Sequence, residues 1–186
     1  MTTVDSTTAT AVCAPRLDVG RRGRIAAGLL ATCLGAACVA RFGATGEALV
    51  GVILVVVLVW LSVVDLETRL LPNRIVLPTT AVVLALQLAF YPDRTVEWLV
   101  ASLGAALFIF LPLLVYPAGM GMGDVKLALL MGAALGSAVV VALVVAMVTA
   151  FVVALAILVR GGLAARKTSM PYGPFLAFGA IVALLL

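Results

Sequence analysis

The chain has 186 residues, of which 65% are hydrophobic and only 11% are charged, and its formal charge is +4. Soluble domains have about 45–50% apolar and 25% charged residues, and a single water-facing core of this size could not bury so much apolar surface. The composition therefore excludes a soluble globular protein, a disordered chain and a collagen, and it predicts a polytopic membrane protein.

Histidine is absent, which excludes Ser–His and Cys–His nucleophile pairs and every His-ligated metal centre. The cysteines, Cys13, Cys33 and Cys38, form no C-x-x-C pair and cannot make a four-cysteine zinc site. We expect no metal and no cofactor. We interpret the positive charge as a topology signal rather than as a sign of nucleic-acid binding.

Residues 1–24 are Thr-rich and then basic, and they predict a mobile cytoplasmic tail. Residues 25–186 predict one integral-membrane domain, because a spanning helix needs about 20 apolar residues. The apolar runs, in chain order, are Ile25–Ala40, Ala48–Val64, Ile75–Tyr91, Trp98–Pro117, Val125–Val159 and Tyr172–Leu186. Residues 16–40 also resemble a signal sequence with a poor cleavage site, but the spans that follow favour an uncleaved anchor.

The run Val125–Val159 is too long for one crossing. A single helix of this length would extend about 52 Å, whereas the hydrocarbon core is about 30 Å thick. A tight hairpin near Gly136 and Ser137 would give two short helices, the first of which barely crosses. The expected fold is an all-α membrane bundle of six or seven transmembrane helices, with Gly28, Gly104, Gly132 and Gly136 allowing close packing.

With the hairpin, the basic residues separate between the two membrane faces. Only Arg41 and Arg94 fall on one side. The other side carries Arg16, Arg21, Arg22, Arg24, Arg69, Arg74, Lys126, Arg160, Arg166 and Lys167. Positive residues are retained on the cytoplasmic side, so this bias predicts a cytoplasmic N-terminus.

Three acidic residues, Asp65, Glu67 and Asp124, lie at the predicted cytoplasmic boundary. Asp65 ends an apolar helix, where the macrodipole disfavours a carboxylate; it is either an interfacial residue reaching water or a functional acid. Asp124 follows a glycine-rich stretch, 119–123, and opens a helix, so it could equally be an ordinary N-cap. If the two helices are neighbours, both carboxyls can share one water.

Two close carboxyls hold one proton between them. The ionised group then acts as a general base toward water, and the protonated group acts as a general acid toward a peptide carbonyl or leaving amine. This chemistry requires no histidine and no metal.

Three segments resemble the signatures of the prepilin peptidases, the type IV leader peptidases. Residues 65–73 (DLETRLLPN) are similar to the first, an Asp at a helix end followed by a basic loop. Residues 121–127 (GMGDVKL) are similar to the second, G-x-G-D, and residues 171–177 (PYGPFLA) resemble the C-terminal Gly-Pro segment. The resemblance covers roughly residues 50–186.

The resemblance implies a membrane-embedded aspartic endopeptidase of the bacterial inner membrane. Such enzymes remove the basic leader from prepilins or pseudopilins, whose hydrophobic stem lies in the bilayer. It implies that Asp65 and Asp124 are the catalytic pair. The supporting positions that it implies are Gly121, Gly123, Lys126, Pro72, Asn73, Gly173 and Pro174.

One departure from the family concerns the N-terminal half. Larger members carry a cytosolic insertion with paired cysteines, and some also methylate the new N-terminus. Here the first connection is short, so we expect a peptidase-only form without methyltransferase activity. Two alternatives are a protease of the presenilin or signal-peptide-peptidase type and a non-enzymatic proton-coupled carrier. The carrier would show repeated halves and midplane acids, whereas here both acids are peripheral.

Overall fold

The computed structural model of the chain describes residues 20–68, 72–115, 121–161 and 171–186. These ranges form helices and contain no strand. The α-helices are α1 (Arg21–Phe42), α2 (Gly46–Thr68), α3 (Asn73–Phe90), α4 (Thr95–Val115), α5 (Met122–Leu135), α6 (Val139–Gly161) and α7 (Gly173–Leu185). Single 3₁₀ turns at Pro92–Arg94 and Gly136–Ala138 precede α4 and α6. The predicted all-α bundle is confirmed.

Four stretches of the described chain are long and apolar enough to cross a membrane: Arg21–Phe42, Gly46–Thr68, Pro92–Val115 and Met122–Arg160. The last of these joins α5 and α6. Two shorter apolar helices, Arg74–Phe90 and Gly173–Leu185, complete the bundle. Many large apolar side chains are exposed on the outside of the bundle, as expected of a surface that faces lipid rather than water.

The chain turns between α5 and α6, as the length of the run Val125–Val159 predicts. Gly136 has φ +56°, a left-handed conformation that glycine adopts at little cost. The next residue, Ser137, donates its backbone N–H to Glu97 in the first turn of α4. After the turn, α6 runs back along α7, so that Ala142 lies beside Gly179 and Phe151 lies near Tyr172. The hairpin therefore brings α6 back toward the end of the bundle where α5 began.

The bundle has two chemically different ends. We call the end that carries Asp65 in α2 and Asp124 in α5 the aspartate end. The opposite end carries Arg41, and the Arg94–Glu97 ion pair, whose closest N···O distance is 2.9 Å. The tail predicted for residues 1–24 lies largely outside the described residues. The exception is 21–24, which belongs to α1 because arginine is a good helix former and its long side chain reaches water.

The main core lies between α2, α3, α4, α5, α6 and α7. Leu58 and Leu61 of α2, Leu127 and Met131 of α5, and Leu176 of α7 are among its fully buried members. Because three of these helices also supply the polar residues of the aspartate end, the core fixes the relative positions of those residues.

The close packing predicted for four glycines is confirmed at two of them. A Cβ atom at Gly132 would lie 2.5 Å from Ser102 Cα, and one at Gly136 would lie 2.5 Å from Trp98 Cζ3. The prediction is wrong for Gly28 and Gly104, because no atom lies within 4 Å of a Cβ built there. Spacing along a helix does not reveal which face meets a neighbouring helix.

Candidate active site

Asp65 lies in the last turn of α2, one helical turn after the buried Leu61. Its side chain is buried, with 6% of the residue exposed. One of its oxygens, Oδ2, accepts a hydrogen bond of 3.0 Å from the backbone N–H of Gly173 at the start of α7. A carboxylate at a helix C-terminus faces the negative end of the macrodipole, and here an N–H from another helix supplies the missing donor.

Asp124 lies in the first turn of α5, and it is also buried, with 6% exposed. Its Oδ2 accepts the backbone N–H of Gly121 at 3.0 Å, while its own N–H donates to the carbonyl oxygen of Gly121 at 3.0 Å. The carboxylate thus folds back over the start of its own helix, as the acidic member of a capping box does. The prediction that Asp124 is itself an N-cap is wrong, because the N-cap residue is Gly121 and Asp124 is the third residue of the helix, where its side chain is buried.

The two carboxyls lie at the same end of the bundle. Helices α2, α5 and α7 contact one another in pairs, so the last turn of α2 and the first turns of α5 and α7 converge. Two buried carboxyls that are 59 residues apart in the sequence are thereby brought to one end of the bundle.

Tyr172 is a further member of this site. It immediately precedes Gly173, and its ring is half-buried. Burial and, after it, the negative charge of Asp124 raise the pKa of the Tyr172 phenol. Its hydroxyl therefore stays protonated at neutral pH and can donate a hydrogen bond. The sequence placed Tyr172 within the third signature segment but gave it no role, since a tyrosine at a helix start usually only packs.

The remaining predicted residues lie at or beside the starts of α3, α5 and α7. Gly123 and Lys126 lie on α5 beside Asp124, and both are partly exposed. Pro72 precedes α3, and its carbonyl oxygen accepts the N–H groups of Ile75 and Val76. Pro72 and the neighbouring Asn73, the first residue of α3, therefore lie at the start of that helix.

Pro174 occupies the first turn of α7. Proline is favoured there because its missing N–H has no partner within the helix anyway. Residues 69–71 of the first signature segment and 119–120 of the glycine-rich stretch before Asp124 lie outside the described residues. Within the described ranges, no group of three His, Cys, Asp or Glu side chains is placed to hold a metal ion.

A salt bridge also marks the aspartate end. Arg24 of α1 and Glu67 of α2 approach to 3.1 Å, with Arg24 largely exposed. The third boundary acid of the sequence is thus paired with an arginine rather than grouped with the two buried carboxyls. Exposed pairs of this kind contribute about 0–1 kcal/mol, so this one orients α1 more than it stabilises the bundle.

Comparison with known proteins supports a single family. The chain is 32% identical over 163 residues to a prepilin leader peptidase/N-methyltransferase of Bacillus subtilis, an alignment that covers 86% of this chain and 64% of the relative. It is 34% identical over 153 residues to a protein of the same name from Pseudomonas putida, covering 78% of this chain and 52% of the relative. The chain thus spans about half to two thirds of the length of these relatives. No solved structure gives a significant match.

The family comparison covers both aspartates. The model of the type IV leader peptidase family matches residues 52–160, which is more than half of the chain and includes Asp65 and Asp124. The resemblance inferred from the three sequence segments is confirmed, and the chain belongs to the type IV leader peptidase family.

Proposed function

We propose that the chain is a membrane-embedded aspartic endopeptidase that removes the basic leader from prepilin or pseudopilin precursors. The observation that carries this proposal is the pair of buried carboxyls, Asp65 and Asp124, which lie on neighbouring helices at one end of an apolar bundle. Family membership supports the substrate class. The position of both acids at one end of the bundle favours a protease over a carrier, whose ionisable groups lie near the membrane midplane.

The mechanism follows from sharing one proton between the two carboxyls. The ionised carboxylate takes a proton from a water molecule, and the resulting hydroxide attacks the scissile carbonyl carbon. The protonated carboxyl gives its proton to the carbonyl oxygen, which forms a gem-diol. As the C–N bond breaks, the carboxyl that took a proton from water gives that proton to the leaving amine, and the other carboxylate recovers a proton from a gem-diol hydroxyl, which restores the starting pair. Backbone N–H groups of Gly121 and Gly173 hold one oxygen of each aspartate in place.

The membrane location and orientation are part of the proposal. The aspartate end carries Arg21, Arg22, Arg24, Arg74, Lys126 and Arg160 among the described residues, and the opposite end carries Arg41 and Arg94. The positive-inside rule then places the aspartate end, and with it the N-terminus, at the cytoplasmic face of a bacterial inner membrane. A basic leader would be presented to the carboxyls at that face.

We propose peptidase activity without methyl transfer for this chain. Both named relatives are called N-methyltransferases as well as peptidases, and they are substantially longer than this chain. Mass spectrometry of a cleaved pilin tests the point, because methylation of the new N-terminus adds the mass of one methyl group. A methylated product formed by the purified chain would contradict this part of the proposal.

Co-expression with a prepilin tests the peptidase, with leader removal scored by gel shift and mass spectrometry. Asp65→Asn and Asp124→Asn should each lower the cleavage rate by roughly 10²–10⁴-fold, because each removes one of the two acid–base groups. Asparagine keeps an acceptor oxygen for the Gly121 or Gly173 N–H, so both variants should still fold.

Asp93→Asn is the matched control, since Asp93 is an exposed acid near the opposite end, and it should cleave like the wild type. Full activity in either Asp65→Asn or Asp124→Asn would exclude that residue from catalysis. Failure of the wild type on several prepilins would overturn the proposed function.

A further inference from the structure

Helices α6 and α7 touch closely at one point. A Cβ atom built at Gly179 would collide with the carbonyl oxygen of Ala142 and would lie 3.0 Å from Ala146 Cβ. Three small residues thus bring the two backbones together in the middle of the bundle, as small residues do between membrane helices.

From that contact toward the aspartate end, the two helices separate. The space between them is an apolar groove of about 270 Å³, lined by Met147, Ala150, Phe151, Ala154, Tyr172 and Phe175. The rings of Tyr172 and Phe175 stand edge to face, with their centroids 6.3 Å apart, and form the α7 wall. Ala150 and Ala154 leave the opposite wall recessed. The α6 side of the groove thus combines the small residues Ala150 and Ala154 with the larger Met147 and Phe151.

Tyr172 joins this groove to the carboxyl pair. Its ring lines the groove, and the charge of Asp124 acts on its hydroxyl. The N–H of the next residue, Gly173, binds Asp65. A chain segment lying in the groove would consequently have its neighbouring peptide bonds close to both carboxyls.

The groove opens sideways, to the outside of the bundle. Phe151 is 67% exposed and Met147 is 42% exposed on its rim. Both belong to the apolar stretch Met122–Arg160, so the opening faces hydrocarbon rather than water. A substrate whose apolar segment stays in the bilayer can enter laterally, whereas a water-soluble peptide gains nothing from an opening at this depth.

We propose that this α6–α7 groove binds the apolar side chain that directly follows the scissile bond of the substrate, so that the membrane-embedded stem of the pilin lies against Tyr172 and Phe175. The inference rests on the proposed function. A groove of about 270 Å³ is smaller than the roughly 300–1,000 Å³ of pockets that enclose a whole drug-sized ligand. It therefore holds one or two side chains and selects for them, while the carboxyls act on the adjoining peptide bond.

The test places a larger side chain in the groove and varies the substrate residue that is proposed to bind there. Ala154→Phe places a ring in the recessed wall, and two prepilins are compared that carry either a large apolar residue or alanine directly after the scissile bond. The wild type should prefer the large residue. The variant should lose about tenfold or more in cleavage of the large substrate relative to the alanine substrate, which is the range that shape differences in an apolar pocket produce.

Gly104→Phe is the matched control. Gly104 lines a comparable apolar groove of about 440 Å³ between α4 and α6, nearer the opposite end, and nothing lies within 4 Å of a Cβ built there. This variant adds the same ring to the membrane-facing surface, and it should keep the wild-type preference between the two prepilins.

Two outcomes would contradict substrate binding in the groove without contradicting the proposed peptidase activity. Unchanged preference in Ala154→Phe would mean that lipid rather than substrate occupies the groove. An equal loss for both prepilins would mean that Ala154 matters only for folding. Lack of cleavage by the wild type would instead refute the proposed function on which the groove depends.

A measurement without turnover tests the same contact. A prepilin carrying a photoreactive phenylalanine analogue directly after the scissile bond is irradiated with the Asp124→Asn variant, and the cross-linked peptides are identified by mass spectrometry. Cross-links to residues 147–154 or 172–175 support the groove. Cross-links confined to other helices overturn it.

Discussion

At the scale of single residues, the chemistry of the site depends on a backbone group as much as on side chains. A Cβ atom at Gly173 would lie 2.7 Å from Asp65 Oδ2 and 3.2 Å from Asp65 Cβ, so only glycine lets the α7 backbone reach the carboxylate. A buried hydrogen-bonding group left without a partner costs about 1–3 kcal/mol. The Gly173 N–H therefore both stabilises α7 and fixes the orientation of Asp65.

We predict that Gly173→Ala lowers the cleavage rate by tenfold or more while the protein still inserts. The added methyl group would lie 2.7 Å from Asp65 Oδ2 and 3.1 Å from Asp65 Cγ, so it must displace either the carboxylate or the start of α7. Gly28→Ala is the control, because a Cβ at Gly28 meets nothing within 4 Å. Wild-type cleavage by Gly173→Ala would show that the hydrogen bond to Asp65 has no catalytic role.

The sequence identified both aspartates because each is an acid placed where a helix meets the membrane boundary. It could not identify the partner of Asp65, because Gly173 is 108 residues away along the chain. Nor could it assign Tyr172, whose relation to Asp124 exists only after α7 has packed against α2 and α5. Local pattern finds residues that are chemically out of place, but it does not show what they touch.

At the scale of helices, the position of Asp124 depends on how α5 packs. This helix has 14 residues, which makes it about 21 Å long and too short to span a hydrocarbon core of about 30 Å. It is held by α4 at Gly132, where a Cβ would lie 2.5 Å from Ser102 Cα, and by the 2.8 Å bond from the Ser102 hydroxyl to the Leu129 carbonyl. The α4–α5 contact thereby sets the depth of Asp124.

We predict that Gly132→Ala destabilises the bundle by about 1–3 kcal/mol, the usual cost of overpacking. The reason is that the methyl group meets the α4 backbone, which cannot yield without moving the whole helix. Thermal unfolding in detergent measures the effect. Gly104→Ala on α4 should instead leave stability unchanged or raise it, since alanine favours a helix where space is open. Equal stability of the two variants would contradict this account of the α4–α5 contact.

The all-α bundle and the α5–α6 turn were predictable because they follow from composition, from length against membrane thickness and from a glycine at the right place. Six or seven transmembrane helices were predicted, whereas the described residues contain four stretches long and apolar enough to cross a membrane. The neighbours of each helix were not predictable. Every apolar helix of this chain offers several faces of similar hydrophobicity, so the packing of α7 against α1, α2, α5 and α6 could not be read from periodicity.

At the scale of the whole molecule, charge divides the bundle into two ends, and this division predicts its orientation. Among the described residues, the aspartate end carries six arginines and lysines, and the opposite end carries Arg41 and Arg94. Transferring the larger group across the membrane would be much more costly than transferring the smaller one.

Single-cysteine variants made after replacing Cys13, Cys33 and Cys38 test this orientation. In intact cells, a membrane-impermeant maleimide should label Thr45→Cys, in the connection between α1 and α2, and should leave Thr68→Cys unlabelled until the cells are opened. Both positions are exposed, so each serves as the accessibility control for the other. The reverse labelling pattern would place the two carboxyls outside the cytoplasm and would contradict leader removal at the inner face.

The hydrogen bond from Gly173 to Asp65 also bears on the order of events during synthesis. Helices enter the membrane as they leave the ribosome, so both aspartates of a nascent chain reach the membrane before α7 has emerged. Until α7 docks, Asp65 has no Gly173 amide to orient it, and the groove beside Tyr172 has no second wall. The arrangement of Asp65 is therefore completed only when α7, which follows the other helices along the chain, has docked.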